Sequence, residues 1–546
     1  MSIKKFGIYL SYSPIVDLRA EGLGRHLAMF MKGAVADPNL RMIIACPSWS
    51  RQNLHELFEE FNIPTASYEI IGPEKSSLLW STVDYFRKLK GRLRKKKQRL
   101  TTKRGRLSRL VKKVKGLAAS IIRLIIRSRN PLVFIPAVLL GIVALPFLGL
   151  AAAILWVVRR FLRLFRTPVN GVVSRSRSVL SRLKGLVGKF GRYIYNIAVD
   201  EEASIVVKHA NKRNDIPVWY CPTSFWPQVN KIKAPTLICV PDVVPVFFPV
   251  GFSRQGGVHM FNGYKAIEKT IRGGKHFVTY SDEIKNTTLV KRFGVNGDSV
   301  HVVRHGVSSL DHLTTVSGFP DNEKAADTMC SQYMSSALTK VTNNWHGSRF
   351  ASANLSYLFY ASQFRPNKNV LTLLKAYKWL RREKLLHLKL LLTGNIHDDP
   401  SVRSYIEKHE LNDDVLCLRR ITEKELAAVY YKAELAVNPS LSEGGTPFTL
   451  SEALSVNTPV VMADIPVTKE TVTDPTLYEM TTFNGLDWRS LADKILWALG
   501  NRSELLGTQR SFYESVLKQR NWQHVAGDHL DILESIALKH GGNQHG

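Results

Sequence analysis

From Tyr85 to Val199 the chain carries 29 Lys and Arg and not one Asp or Glu. The remaining residues hold 47 basic against 45 acidic side chains, so nearly all of the formal charge of +31 sits in this one stretch. At its centre lies an uncharged run from Pro131 to Val158, PLVFIPAVLLGIVALPFLGLAAAILWVV. A near-neutral globular protein is thus interrupted by a cationic segment with a hydrophobic middle. Amphipathic sequences on either side, such as SRLVKKVKGLAASIIRLIIR and SRLKGLVGKFGRYIY, mix Lys and Arg with Leu, Ile and Phe. That composition suits an anionic membrane surface.

The 28-residue run exceeds the ~20 residues needed for one helical crossing of a bilayer. Basic residues crowd both flanks, which places both on the cytoplasmic side. The segments before and after also read as two parts of one α/β domain, which cannot fold from opposite sides of a membrane. Pro146 divides the run into halves too short to cross upright. The expectation is a re-entrant hairpin or an in-plane helix pair dipping into one leaflet. A soluble helical subdomain with 131–158 as its buried core is the alternative. Nucleic-acid binding would use the charge but leave the apolar centre without a purpose, and is not expected.

A chain of 546 residues has room for two or three domains. The five cysteines are scattered without metal-ligand spacing, which suits buried thiols in a reducing compartment. Outside the basic stretch, strand-like runs alternate with helical patterns, the mark of parallel α/β layers. The expected division is 1–84 and 200–316 for the two parts of an N-terminal domain, with the insert at 85–199. A polar, irregular linker follows at 317–353, then a C-terminal domain at 354–546 ending in a helix. Two doubly wound, Rossmann-like domains facing a cleft is the natural architecture, because such sheets bind ligands beyond the carboxyl ends of their strands.

The densest group of candidate residues is NPSLSEGGTPFTLSEALSVNTPVVMADIP. A strand ends in a loop holding Glu443, Gly444 and Gly445. Thr446 is placed to cap the next helix and Pro447 to open it. A helix start aimed at the cleft suits a phosphate, and the glycines admit a close backbone approach. Glu452 follows in the second turn, where a carboxylate could accept from a ribose diol. In ASQFRPNKN, Arg365 and Lys368 project from a strand-to-helix turn as a pair that could neutralise a diphosphate.

In order, these elements resemble the retaining GT-B glycosyltransferases of family 4, where a strand–PS–x–x–EG…EA sequence followed by TPVV carries the paired glutamates of the donor site. ASQFRPNKN is similar to the family's diphosphate-binding turn, and NWQHVAGDHLDIL to its tryptophan-containing terminal helix. The N-terminal half matches more loosely. EGLGR, with Gly22 and Gly24, resembles the Gly-rich first loop; VPDVVPVFF, with Asp242, the His-Asp turn; and FVTYSDEIKN, with Ser281, the serine turn. Three departures stand out: eight residues separate the glutamates where seven are usual, Gln363 replaces a phosphate-binding Arg, and Pro241 replaces the His.

The resemblance implies retaining transfer of a sugar from a nucleotide sugar to a hydroxyl acceptor. It casts Glu443, Lys368 and Arg365 as the catalytic group, and Glu452, Gly444, Gly445, Thr446, Gly22 and Gly24 as donor-binding. Asp242 and Ser281 fall on the acceptor side. No Asp-x-Asp site appears in the matching region, so catalysis without a metal or other cofactor is expected. With the insert, it implies an enzyme at the cytoplasmic face of the inner membrane. Its partners are then a nucleotide sugar, an anionic membrane surface and a lipid-linked acceptor, polyprenyl-diphosphate saccharide first and glycolipid second. An enzyme of the same architecture acting on soluble sugars, and a membrane-binding scaffold without catalysis, are the competing readings.

Overall fold

The computed structural model describes residues 3–16, 18, 22–76, 193–342 and 355–542. The apolar segment 131–158 and most of the basic stretch lie outside the described residues.

Among the described residues, short apolar runs supply thirteen strands in two sheets. In the first, β1 (Lys4–Tyr9), β2 (Leu40–Ala45), β3 (Tyr68–Ile71), β4 (Trp219–Cys221), β5 (Thr236–Cys239), β6 (His276–Thr279) and β7 (Val300–Val302) lie in the order β3-β2-β1-β4-β5-β6-β7. The second contains β8 (Tyr357–Tyr360), β9 (Lys389–Leu392), β10 (Val415–Cys417), β11 (Leu435–Asn438), β12 (Val460–Ala463) and β13 (Thr482–Phe483). Its order is β10-β9-β8-β11-β12-β13. Every pair is parallel. The strands are buried on both faces, as sheets covered by helices require. Strand order reverses at β1/β4 and at β8/β11, where a doubly wound sheet opens a crevice for ligands.

Residues 77–192 fall in sequence between β3 and β4, yet β4 pairs directly with β1, Gly7 opposite Trp219. A side chain at Gly7 would collide with the Trp219 ring. The two parts of the first sheet are therefore interlocked, and both ends of the intervening chain meet the same folded domain.

Three boundaries differ from the sequence reading. Residues 193–199, assigned to the insert, are helical and continue without interruption to residue 210, and Val206, Val207 and Ala210 of that stretch enter the first core. Their lack of acidic residues disguised this continuity. Within the expected irregular linker runs the helix Asn322–Leu338, capped by the Asp321 carboxylate, which accepts from Lys324 N at 2.9 Å. Its buried face is made of Ala326, Cys330, Met334, Ala337 and Leu338, small or soft residues that give little hydrophobic contrast. The terminal helix Trp522–Gly542, grouped by sequence with the C-terminal domain, instead adds Trp522, Val525, Ala526, Leu533 and Ile536 to the N-terminal core. Gly33, on the helix Gly22–Ala34, is where that helix meets the terminal one, since a side chain there would strike the Trp522 carbonyl. All five cysteines are free and buried.

Candidate active site

The second sheet builds its part of the site from two loops tied together. After β8, residues 361–369 turn through the short 3-10 segment Pro366–Lys368 into the helix Val370–Glu383. Asn369 takes the left-handed conformation, φ 52°, one that asparagine tolerates well. Its side chain donates to the Pro439 and Gly485 carbonyls at 3.1 and 2.8 Å. Buried Asn367 donates to the Ser442 carbonyl at 3.0 Å, and its own carbonyl accepts from Leu441 N at 2.8 Å. These two asparagines, which the sequence reading passed over, fix the turn against the loop after β11. The left-handed position before a helix was the signal available for Asn369.

The lacing brings Lys368 and Glu443 together: Lys368 Nζ lies 2.5 Å from Glu443 Oε1, both partly buried. Arg365 is exposed beside them and donates to the Gln363 side chain at 2.7 Å. Asp242, beyond β5 of the other sheet, faces the same space. Burial raises its carboxyl above the ordinary range and the Glu443 charge adds to the rise, while Arg365 and Lys368 oppose it.

The helix Phe448–Ser455 begins beyond this loop with Pro447 in the cap position and no side-chain cap. Thr446 is therefore not the cap expected from sequence; its hydroxyl pairs with that of Thr471 at 3.0 Å. The uncapped backbone N–H groups and the neighbouring cations make this strand end suited to an anion.

Gly444 and Gly445 are packed against the first sheet. A side chain at Gly444 would collide with the Pro241 carbonyl, and one at Gly445 would crowd Tyr280 and His305. Ser281 Oγ donates to the Gly444 carbonyl at 2.9 Å. The glycines thus permit two domain surfaces to close, a need that their spacing did not reveal.

Glu452 is buried and already engaged. Its Oε1 accepts from Arg25 Nη1 and from Ser308 Oγ, both at 3.1 Å, while Arg25 Nη2 reaches Glu423 at 2.8 Å. Burial raises the Glu452 carboxyl, with Arg25 as the main opposing influence. Arg25 follows Gly24, where a side chain would collide with the Leu18 carbonyl. Gly24, like Gly22, lies at the described start of the helix Gly22–Ala34, where it leaves room for that carbonyl. Arg25 entered the sequence reading only as the end of EGLGR and Ser308 not at all, since their partner lies more than a hundred residues away. Among the described residues, no group of His, Cys, Asp and Glu is arranged to hold a metal ion.

Residues 342–515, which include both loops, match the family model described as Glycosyl transferases group 1. The chain is a glycosyltransferase. Over 312 residues it is 25% identical to the O-antigen chain mannosyltransferase RfbU of Salmonella typhimurium, covering 57% of this chain and 70% of that one. It is also 28% identical over 183 residues to O-antigen chain mannosyltransferase B of Escherichia coli, or 33% of this enzyme and 46% of the other. The fold of the glycosyltransferase is similar to that of the N-terminal domain of Candida albicans trehalose-6-phosphate phosphatase, with TM-score 0.51 and 12% identity over 98% and 97% of the two chains. With its two parallel sheets, this is the GT-B architecture.

Proposed function

We propose that this glycosyltransferase moves a hexose, with retention, from a nucleotide sugar to a lipid-linked saccharide at the cytoplasmic face of the inner membrane, in surface-polysaccharide assembly. The observation that carries the donor side is the Lys368–Glu443 pair beside an uncapped helix start. Breaking the donor leaves negative charge on the departing diphosphate, and fixed cations and backbone dipoles stabilise that charge most where water is excluded. Lys368, Arg365 and the N–H groups after Pro447 are placed for it. Glu443 orients the donor sugar and keeps Lys368 aimed. Glu452 serves the ribose once Arg25 yields one of its hydrogen bonds. Asp242 and Ser281 line the opposite, acceptor side, and no metal is required. The two mannosyltransferase relatives make mannose the first sugar to test.

The acceptor side of the proposal rests on the acid-free basic stretch and its 131–158 core. Among the described residues no helix is long and apolar enough to cross a membrane. Replacing 77–192 by a short linker, which spares the folded helix over 193–210, releases the protein from membranes while leaving nucleotide binding intact. Persistence of the shortened protein in salt-washed membranes would refute the anchor.

The deciding assay places the enzyme in lipid nanodiscs with radiolabelled nucleotide sugars and a membrane-lipid extract. Label entering the organic phase from one donor, and lost in Lys368→Ala, is the expected result. Free nucleotide without lipid labelling would favour a soluble acceptor. No release from any donor would favour a scaffold.

A further inference from the structure

Glu470 lies outside the motifs that carry the donor site, on the short helix Pro466–Thr471 after β12. Its carboxylate crosses the cleft to the N-terminal domain. Oε2 accepts from Asp282 N at 2.9 Å and Oε1 from Glu283 N at 2.7 Å. These N–H groups sit at the head of the helix Ile284–Arg292, where backbone donors lack intrahelical partners. A side chain of one domain therefore caps a helix of the other.

The cap closes a ring of contacts around the donor loop. Ser281, just before Asp282, donates to the Gly444 carbonyl at 2.9 Å. Thr446, two residues beyond Gly444, pairs with Thr471, the neighbour of Glu470, at 3.0 Å. One tether through Ser281 would leave a pivot; the second, through Glu470, sets the rotation about it. Two carboxylates, Asp282 and Glu470, share Arg304, which lies 2.6 Å from Asp282 and 3.8 Å from Glu470.

We infer that Glu470 is a positioning residue for glycosyl transfer: by capping the helix Ile284–Arg292 across the cleft, it sets the register in which the N-terminal domain presses on the Glu443–Gly445 loop. The role rests on that loop's place in the proposed donor site. Glu470 touches neither nucleotide nor sugar. It acts through Ser281 and Gly444 on the aim of Glu443 and Lys368.

The test compares wild type with Glu470→Ala and Glu470→Gln in nanodiscs. Three quantities are read: turnover of the donor found by the labelling assay, binding of UDP and GDP by calorimetry, and hydrogen exchange at Asp282 and Glu283 without substrate. Losing the cap in the alanine variant should speed exchange at those amides and lower kcat roughly tenfold, since small misplacements of reacting groups cost rate steeply. Nucleotide Kd should stay within about threefold. Glutamine, keeping one acceptor, should fall between. Unchanged exchange would show that the cap is absent in solution. Faster exchange with wild-type kcat would show a cap without a positioning role. A Kd that worsens in step with kcat would move Glu470 into the nucleotide site. If wild type turns over no donor, the proposed reaction and the positioning role fall together, while the exchange contrast still reports the cap.

Discussion

The two sheets contribute to the cleft in opposite ways. The C-terminal sheet supplies charge from two short stretches, 361–369 and 439–446, laced by Asn367 and Asn369 so that Lys368 meets Glu443. The N-terminal sheet supplies shape and register from scattered points: the Pro241 carbonyl, Tyr280, Ser281 and Arg25. A site that is local in the chain shows as a motif. A site assembled from the ends of several strands shows only as a surface. The different strength of the two family resemblances follows from that contrast.

The strongest way to break the contrast is at the charge. Lys368→Ala should lower turnover by roughly 10²–10³, the cost of removing one preorganised group from developing charge, while leaving membrane attachment unchanged. Wild-type nucleotide release from this variant would remove the C-terminal loop from the chemistry. Next comes the cross-domain charge pair. Arg25→Met leaves the buried Glu452 carboxylate without its cation and should cost about 3 kcal/mol of stability, read as a lower Tm. Adding Glu452→Gln should recover much of it; no recovery would show that Arg25 matters through packing.

Shape is tested more gently by Gly444→Ala. Its added methyl meets the Pro241 carbonyl, so the domains should close imperfectly and kcat fall roughly tenfold, with nucleotide Kd little changed. A loss of nucleotide binding instead would mean that the glycine serves the ligand and not the other domain.

The smallest effect concerns the buried histidines behind this contact. His529 is fully buried, with Nδ1 2.7 Å from the Val525 carbonyl, and burial lowers its pKa to about 4. His26, beside it in the core, is also pushed well below its ordinary range by burial. Both stay neutral when folded but take up protons on unfolding below the usual histidine pKa. Stability is therefore complete above pH 6.5 and is lost as pH falls toward 4. His529→Gln should remove about 1 kcal/mol of the change in stability between pH 7 and 5.5. An unaltered pH slope in denaturant titrations would place the protonation elsewhere.

Much of the C-terminal half was legible from sequence because each strand and helix there carries its own signal. The apolar β8 run and the Gly-Gly loop are read within a few residues. The helix Asn322–Leu338 was missed because its buried face is made of small or soft residues that give little hydrophobic contrast. Thr446 was misread as a cap because its hydroxyl finds Thr471, a partner that backbone propensity does not register. Glu452 was assigned to a ligand, and in the folded chain it is held by Arg25, 427 positions away.

By itself the sequence determined the alternation of strands and helices, the basic stretch that interrupts it, and the charged residues of the loops after β8 and β11. These depend on composition and on contacts within a few residues. Tertiary structure alone decided that β4, after that stretch, pairs directly with β1, that the terminal helix returns to the first domain, and that Glu470, Arg25 and Ser281 join the domains. Such pairings follow from which surfaces meet once both cores have formed. No periodicity along a single chain encodes the distance between two residues that only folding brings together.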